Sequence, residues 1–241
     1  MKYYAIADIH GKYDLLLEAY TQIHDHVGAE KYLIVTLGDY IDRGPKSKQV
    51  IDFLMDRDGG DTLCLQGNHE RIMLQSIVLK MEPDWWVRNG GGETLLSYGA
   101  IPVEGCFDTS SYAHVPEDHL RWLASLDLYY ETEKQVFVHA GIPQWGMNLE
   151  KASDRNQEKM QWMLYDKRDS GGWKGKHVVH GHRQFEDGPH TWYDEKKGGR
   201  TDLDTWAYHT GRLVVGVFDD TQLHAIDYIE IKETEYGYKI N

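Results

Sequence analysis

An α/β fold (α+β in its later part) carried on a mixed β-sheet is predicted by three observations. Short apolar runs alternate with helical periodicities through the first seventy residues, each run stops at a block of polar residues, and the last third changes to two-residue alternation. Tyr3 to Ala7 reads as the first strand and ends at Asp8-Ile9-His10-Gly11. Leu15, Ala19, Tyr20 and Ile23 then recur at helical spacing. Tyr32 to Leu37 is the second strand, closed by Gly38-Asp39-Tyr40-Ile41-Asp42-Arg43-Gly44, and Val50, Ile51 and Leu54 mark the next helix. Thr62 to Gln66 leads into Gly67-Asn68-His69-Glu70, with a helix expected over Glu70 to Lys80. Asp8, Asp39 and Asn68 thus recur at about thirty residues, the length of one β-α-β unit.

Beyond this point Trp85 to Ala100 contains the turn Asn89-Gly90-Gly91-Gly92, and Ile101 to Leu128 reads as irregular and helical cover. Gln135 to Val138 and Val178-Val179 resume strand character before His139-Ala140-Gly141 and Gly181-His182. Leu213 to Phe218 and Leu223 to Ile231 alternate as a half-buried hairpin or meander does. Gly171-Gly172 and Gly198-Gly199 sit among charged neighbours as exposed loops, so residues 1–241 are expected to form a single domain.

Composition narrows the class of function. The 241 residues carry a formal charge of −13, which argues against a nucleic-acid polymer as partner, because such binding needs Lys and Arg against phosphates. No apolar stretch approaches the ~20 residues of a membrane span. Tyr3 to Ala7 is too short for the apolar region of a secretory signal, and two cysteines, Cys64 and Cys106, build no disulfide framework. A cytoplasmic location without membrane contact is therefore expected, whereas nothing here speaks to oligomeric state.

Strand ends in open α/β sheets are where ligands collect, so the polar blocks should converge. Their residue types suit two divalent cations acting on a phosphoester, which need carboxylate and imidazole ligands around a shared bridge. Asp39, closing the middle strand, is the expected bridge. Asp8 and His10, two apart in an extended segment, share one face and would hold the first cation with Asp39. Asn68, His139 and His182 would complete the second, with His180 competing for the place of His182. His69 follows a ligand yet points elsewhere, which suits a general acid; Asp42 would orient it, and Arg43 would grip the phosphoryl oxygens.

These blocks resemble the signature of the metal-dependent phosphoprotein phosphatase family, the calcineurin-like metallophosphoesterases, from residue 8 to 182. The resemblance implies a central mixed β-sandwich flanked by helices in four layers. It also implies a dinuclear centre of manganese, or of iron with zinc, and attack by a metal-bridging hydroxide. Glu70 after His69, and Asn89-Gly90-Gly91-Gly92 after Trp86, are similar to the bacterial and lambda phage-type serine/threonine phosphatases. Substrate contacts are then expected from Arg43, Asn68 and, in place of a second arginine missing after Trp162-Met163-Leu164, Arg168 beside Lys167. Gln66 and Trp206 depart from the pattern, standing where relatives often have Arg and Gly.

The expected activity is hydrolysis of phosphoserine or phosphothreonine in a phosphoprotein, and of small phosphoesters. The alternatives are a symmetrical diadenosine tetraphosphate hydrolase, for which Trp86, Trp206 or Tyr40 would have to stack a base, and an inactive metal-binding regulatory module.

Overall fold

The computed structural model describes residues 1–233 except 105, 108, 109, 145 and 167. In chain order it runs β1 (Lys2–Ile6), α1 (Tyr13–Val27), β2 (Tyr32–Thr36), α2 (Ser47–Met55), β3 (Thr62–Cys64), α3 (Asn68–Ile77) and α4 (Pro83–Trp86). A kinked turn over Val87–Gly91 joins α4 to α5 (Gly92–Ser97). Then follow α6 (Glu117–Ser125), β4 (Tyr129–Glu131), β5 (Gln135–Val138), α7 (Asp154–Trp162) and β6 (His177–His180). The last elements are β7 (His190–Trp192), β8 (Arg200–Asp202), α8 (Ala207–Thr210), β9 (Arg212–Asp219) and β10 (Asp227–Lys232).

The strands form two five-stranded mixed sheets, ordered β10-β9-β1-β2-β3 and β4-β5-β6-β8-β7. In the first, β1, β2 and β3 are parallel and β9 returns antiparallel to β1. In the second, β5, β6 and β8 are parallel between antiparallel edges β4 and β7. Strand alternation explains how the sheets stack. Tyr3, Ala5 and Ala7, with Phe218 beside them on β9, face Phe137 and Val179 of the second sheet and Leu203 just past β8, whereas Tyr4 and Ile6 pack against α1 and α2. Val136, Val138 and Val178 point the other way, onto Met147, Met160 and Trp173. Helices, sheet, sheet, and the α7 side make the four expected layers.

Helix α1 forms because Leu15, Leu16, Ala19, Tyr20, Ile23 and Val27 make one buried stripe, and it stops at Gly28, whose φ of 60° suits glycine. Helix α3 begins two residues earlier than expected. Glu70, at its third position, reaches back to the Gly67 N–H at 2.9 Å, which puts Asn68 and His69 in the first turn. The expected strand over Leu223 to Ile231 starts only at Asp227, and β4, β7 and β8, of three residues each, join the second sheet. No helix among the described residues is long and apolar enough to cross a membrane.

Candidate metal centre

All five loops that carry the six expected ligands leave the carboxyl ends of parallel strands, with β1, β2 and β3 on one side and β5 and β6 on the other. Backbone bonds weld them together: His10 N–H to Asp39 O and Gly11 N–H to Tyr40 O, both 2.8 Å. Gly38, at φ 95°, leaves no room for a side chain, since a Cβ there would lie 2.3 Å from Gly67 N. The same is true of Gly181, whose Cβ would lie 2.0 Å from Asp8 Oδ2.

Asp8 and His10 do not lie in the extended segment expected of them. They lie past the end of β1 at φ 45° and 44°, so left-handed backbone, not strand alternation, aims them. Asp39, Asp42, Arg43 and His182 are left-handed too, making six of the eleven such non-glycine residues. Each costs on the order of 1 kcal/mol, and strain of this kind gathers where geometry serves a site.

Hydrogen bonds settle which nitrogens are free. His10 Nδ1 donates to Ile41 O at 2.7 Å, which leaves Nε2 as a lone pair 3.6 Å from Asp39 Oδ2. His139 Nδ1 donates to Leu37 O at 2.9 Å, so its Nε2 is also a lone pair, 2.8 Å from Asn68 Oδ1, 3.3 Å from His182 Nδ1 and 3.5 Å from Asp39 Oδ1. Asn68 Oδ1 therefore faces acceptors on every side, an arrangement that turning the amide over or placing a cation among them relieves. Burial pushes His10 and His139 below the ordinary histidine range and His182 to about 3, favouring the neutral, ligating form. Burial also pushes Asp8 well above the carboxylate range, with Asp204 and Asp39 adding to it, and Asp204 to about 7. The buried Asp204 Oδ2 has no hydrogen-bond partner among the described residues.

Two sets of ligand atoms lie within 4.8 Å of one another, His10, Asp39 and His69 in one and Asp39, His139 and His182 in the other, sharing Asp39. Asp8 joins through the His182 N–H, which donates to its Oδ2 at 2.9 Å. His180 turns away instead, toward the buried Arg200 at 3.2 Å.

His69 sits at the first set with a dedicated support. Its Nδ1 meets Asp42 Oδ2 at 2.6 Å, and because Asp42 also accepts from Trp86 Nε1 (3.0 Å) and the Thr94 hydroxyl (2.7 Å), Nδ1 must be the donor. Nε2 is then directed at the cluster, 3.9 Å from Asp39 Oδ2. Burial works to lower the His69 pKa, but Asp39 and Asp42 outweigh it and raise it. Arg43 Nη1 donates to His10 Nε2 at 3.0 Å while its guanidinium lies 4.9 Å over the Tyr208 ring.

Arg168, expected at the substrate, lies exposed in the loop after α7, with its N–H on Asp166 Oδ1 and no side-chain ion pair to the cluster among the described residues. Lys167 is outside the described residues. Trp86 and Tyr40 are fully buried and cannot stack a base; Trp206 is half-buried and lies against His209 at 4.2 Å. Thr94, Asp204 and Tyr208 are parts of the site that no sequence motif marked.

Lone pairs and carboxylates converging around one shared aspartate, at the mouth of a two-sheet sandwich, fit a pair of divalent cations. The chain belongs to the calcineurin-like phosphoesterase family, which it matches over residues 1–215. It is 27% identical over 201 residues to a symmetrical bis(5'-nucleosyl)-tetraphosphatase of Nitrosococcus oceani, covering 82% of this chain and 61% of that protein. Identity to serine/threonine-protein phosphatase 1 of Salmonella typhimurium is 28% over 156 residues, covering 64% of this chain and 65% of that one. The match thus spans under two thirds of either relative. Among solved structures, a serine/threonine phosphatase of Saccharomyces cerevisiae superposes with a TM-score of 0.63 at 15% identity, over 98% of this chain and 81% of that one. A candidate diadenosine tetraphosphatase does so at 0.62 and 19%, over 95% and 92%. At these identities the likeness is one of fold.

Proposed function

We propose that this chain is a two-metal hydrolase of nucleotide phosphoanhydrides, with symmetrical dinucleoside tetraphosphates as the preferred substrates. The convergence of Asn68 Oδ1, the His139 Nε2 lone pair, His182 Nδ1 and the Asp39 carboxylate carries the metal dependence. Asp8, His10 and Asp39 would hold one cation, and Asp39, Asn68, His139 and His182 the other. Manganese is the proposed metal, with iron and zinc as alternatives. Bound there, two divalent cations would acidify a water and neutralise the phosphoryl oxygens.

The chain's own side chains supply the rest. Arg43, steadied over Tyr208, would turn its fork from His10 toward a phosphoryl oxygen. His69 would give its Nε2 proton to the leaving oxygen, and Asp42, held by Trp86 and Thr94, would keep Nδ1 protonated throughout.

The features that favoured phosphoserine and phosphothreonine from the sequence are neutral on substrate. Glu70 is occupied by the N–H groups of Gly67, Asp39 and Tyr40. Trp86 serves Asp42, and Gly90 O accepts the Arg43 N–H. The N. oceani protein, the relative named above with the longer match, supports the dinucleotide. Phosphoserine or phosphothreonine stays as a second reading, favoured by the Salmonella protein.

Steady-state kinetics with manganese decide between them. A kcat/KM for diadenosine tetraphosphate more than tenfold above that for a phosphoserine peptide, about 1.4 kcal/mol of transition-state discrimination, supports the proposal; the reverse ratio refutes it.

A further inference from the structure

Two tryptophans stand beside the His182 edge of the cluster without serving the hydrolytic groups. Trp162, half-buried at the end of α7, has its ring centroid 6.1 Å from that of His182 at an interplanar angle of 84°. Trp85, 41% exposed, lies 6.3 Å from Trp162 and inclined at 41° to it. A file of rings therefore leads outward from His139 through His182 and Trp162 to Trp85.

Both indoles are positioned from behind. Gln161, buried, donates to Gln66 O and Gly67 O at 3.3 and 3.1 Å, and Met160 O accepts from the Ala140 N–H at 2.9 Å, so the end of α7 is tied to two ligand loops. In α4 the adjacent Trp86 is fully buried and committed to Asp42, leaving Trp85 as the outward indole. Exposing so large an apolar ring forgoes hydrophobic stabilisation. Set beside a phosphate-binding pocket, a rigid aromatic face matches the flat apolar surface of a nucleobase, whatever the base.

We propose that Trp85 and Trp162 form a stacking platform for the base of a nucleotide whose phosphates lie over the metal cluster. This rests on the nucleotide reading of the site and adds where the base is held. The platform supplies affinity for the base through ring contact and leaves its identity largely unread.

Calorimetric titration of the manganese-loaded protein with AMP and with ribose 5-phosphate isolates the base, because the two share sugar and phosphate. AMP should bind the wild-type chain about tenfold more tightly than ribose 5-phosphate. That ratio should fall toward one in Trp85→Ala and Trp162→Ala, and Trp85→Phe should keep most of it. Because the ratio is internal to each variant, a general weakening of phosphate binding does not imitate the effect; Trp85, being exposed, can be replaced without opening the core. A wild-type ratio of one, or alanine variants that keep the full ratio, overturns the platform. If diadenosine tetraphosphate is hydrolysed well while neither tryptophan alters the ratio, the platform falls and the substrate reading stands. Poor hydrolysis with an AMP preference lost in Trp85→Ala removes the tetraphosphate and keeps the platform.

Discussion

Gly181→Ala adds one methyl group where the cluster has no space for it. The new Cβ would lie 2.0 Å from Asp8 Oδ2 and 2.7 Å from Ala7 Cβ, against ordinary contacts of 3.4 Å and beyond. The Asp8 carboxylate must therefore retreat by ~1.4 Å, or the His182 loop must lift by as much. Either movement breaks the 2.9 Å bond from the His182 N–H to Asp8 and parts two proposed ligands from opposite sheets. A displacement of about 1 Å in a catalytic site costs on the order of 10²-fold in rate. Since the Gly181 side of the contact binds nothing itself, such a loss comes through position alone. The assay is manganese affinity by titration together with kcat at saturating manganese, with thermal unfolding of the same preparation as a check on the fold. Weaker uptake of at least one ion and a kcat lowered about a hundredfold are expected. A Gly181→Ala protein that binds two ions with wild-type affinity and turns over at the wild-type rate would refute the placement of Asp8 and His182.

Three further outcomes are expected. His69→Asn should keep both metal ions and slow turnover by ~10²–10⁴-fold, more for an alkyl phosphate than for 4-nitrophenyl phosphate; an equal loss on both, or loss of metal, contradicts its role as acid. Trp86→Phe removes a buried indole donor from Asp42 while keeping a ring, and should lower stability in urea by about 1.5–3 kcal/mol; an unchanged midpoint counts against that bond. Burial lowers His177 to about 3, and its ring is engaged by Gly198 O and Thr201 Oγ1. Because this folded pKa lies below the unfolded value of ~6.5, the stabilisation is complete above pH ~6.5 and is lost as pH falls toward 3, at up to ~1.4 kcal/mol per pH unit. His177→Asn should accordingly flatten the pH dependence of urea stability between pH 6.5 and 4.5, and curves parallel to wild type would contradict this.

Legibility from the sequence followed the range of the interactions involved. The succession β1-α1-β2-α2-β3 could be read because local periodicity decides it, and the ligand blocks could be read because each closes a strand. Strands of three residues such as β7 and β8 have no period to read and exist through their neighbours. Asp8 and His10 lie on left-handed backbone in place of the expected extended segment, since nothing in Asp-Ile-His announces two left-handed residues. Glu70 and Trp86 drew notice as markers of a subgroup, whereas their hydrogen bonds show them supporting the ligand loops and Asp42. Thr94, Tyr208 and Trp162 reach the site only through tertiary packing, so no local pattern could announce them.

Asp39, the residue common to both ligand sets, would be shared by the two cations. Manganese titration followed by electron paramagnetic resonance tests it on the intact chain, because two ions ~3.5–4 Å apart across one carboxylate couple their spins. Two equivalents bound, an exchange-coupled signal at saturation, and activity that rises with the second equivalent are expected. In Asp39→Asn the coupled signal and the activity should be lost together. A fully active wild-type chain holding one uncoupled manganese ion, or none, would contradict it.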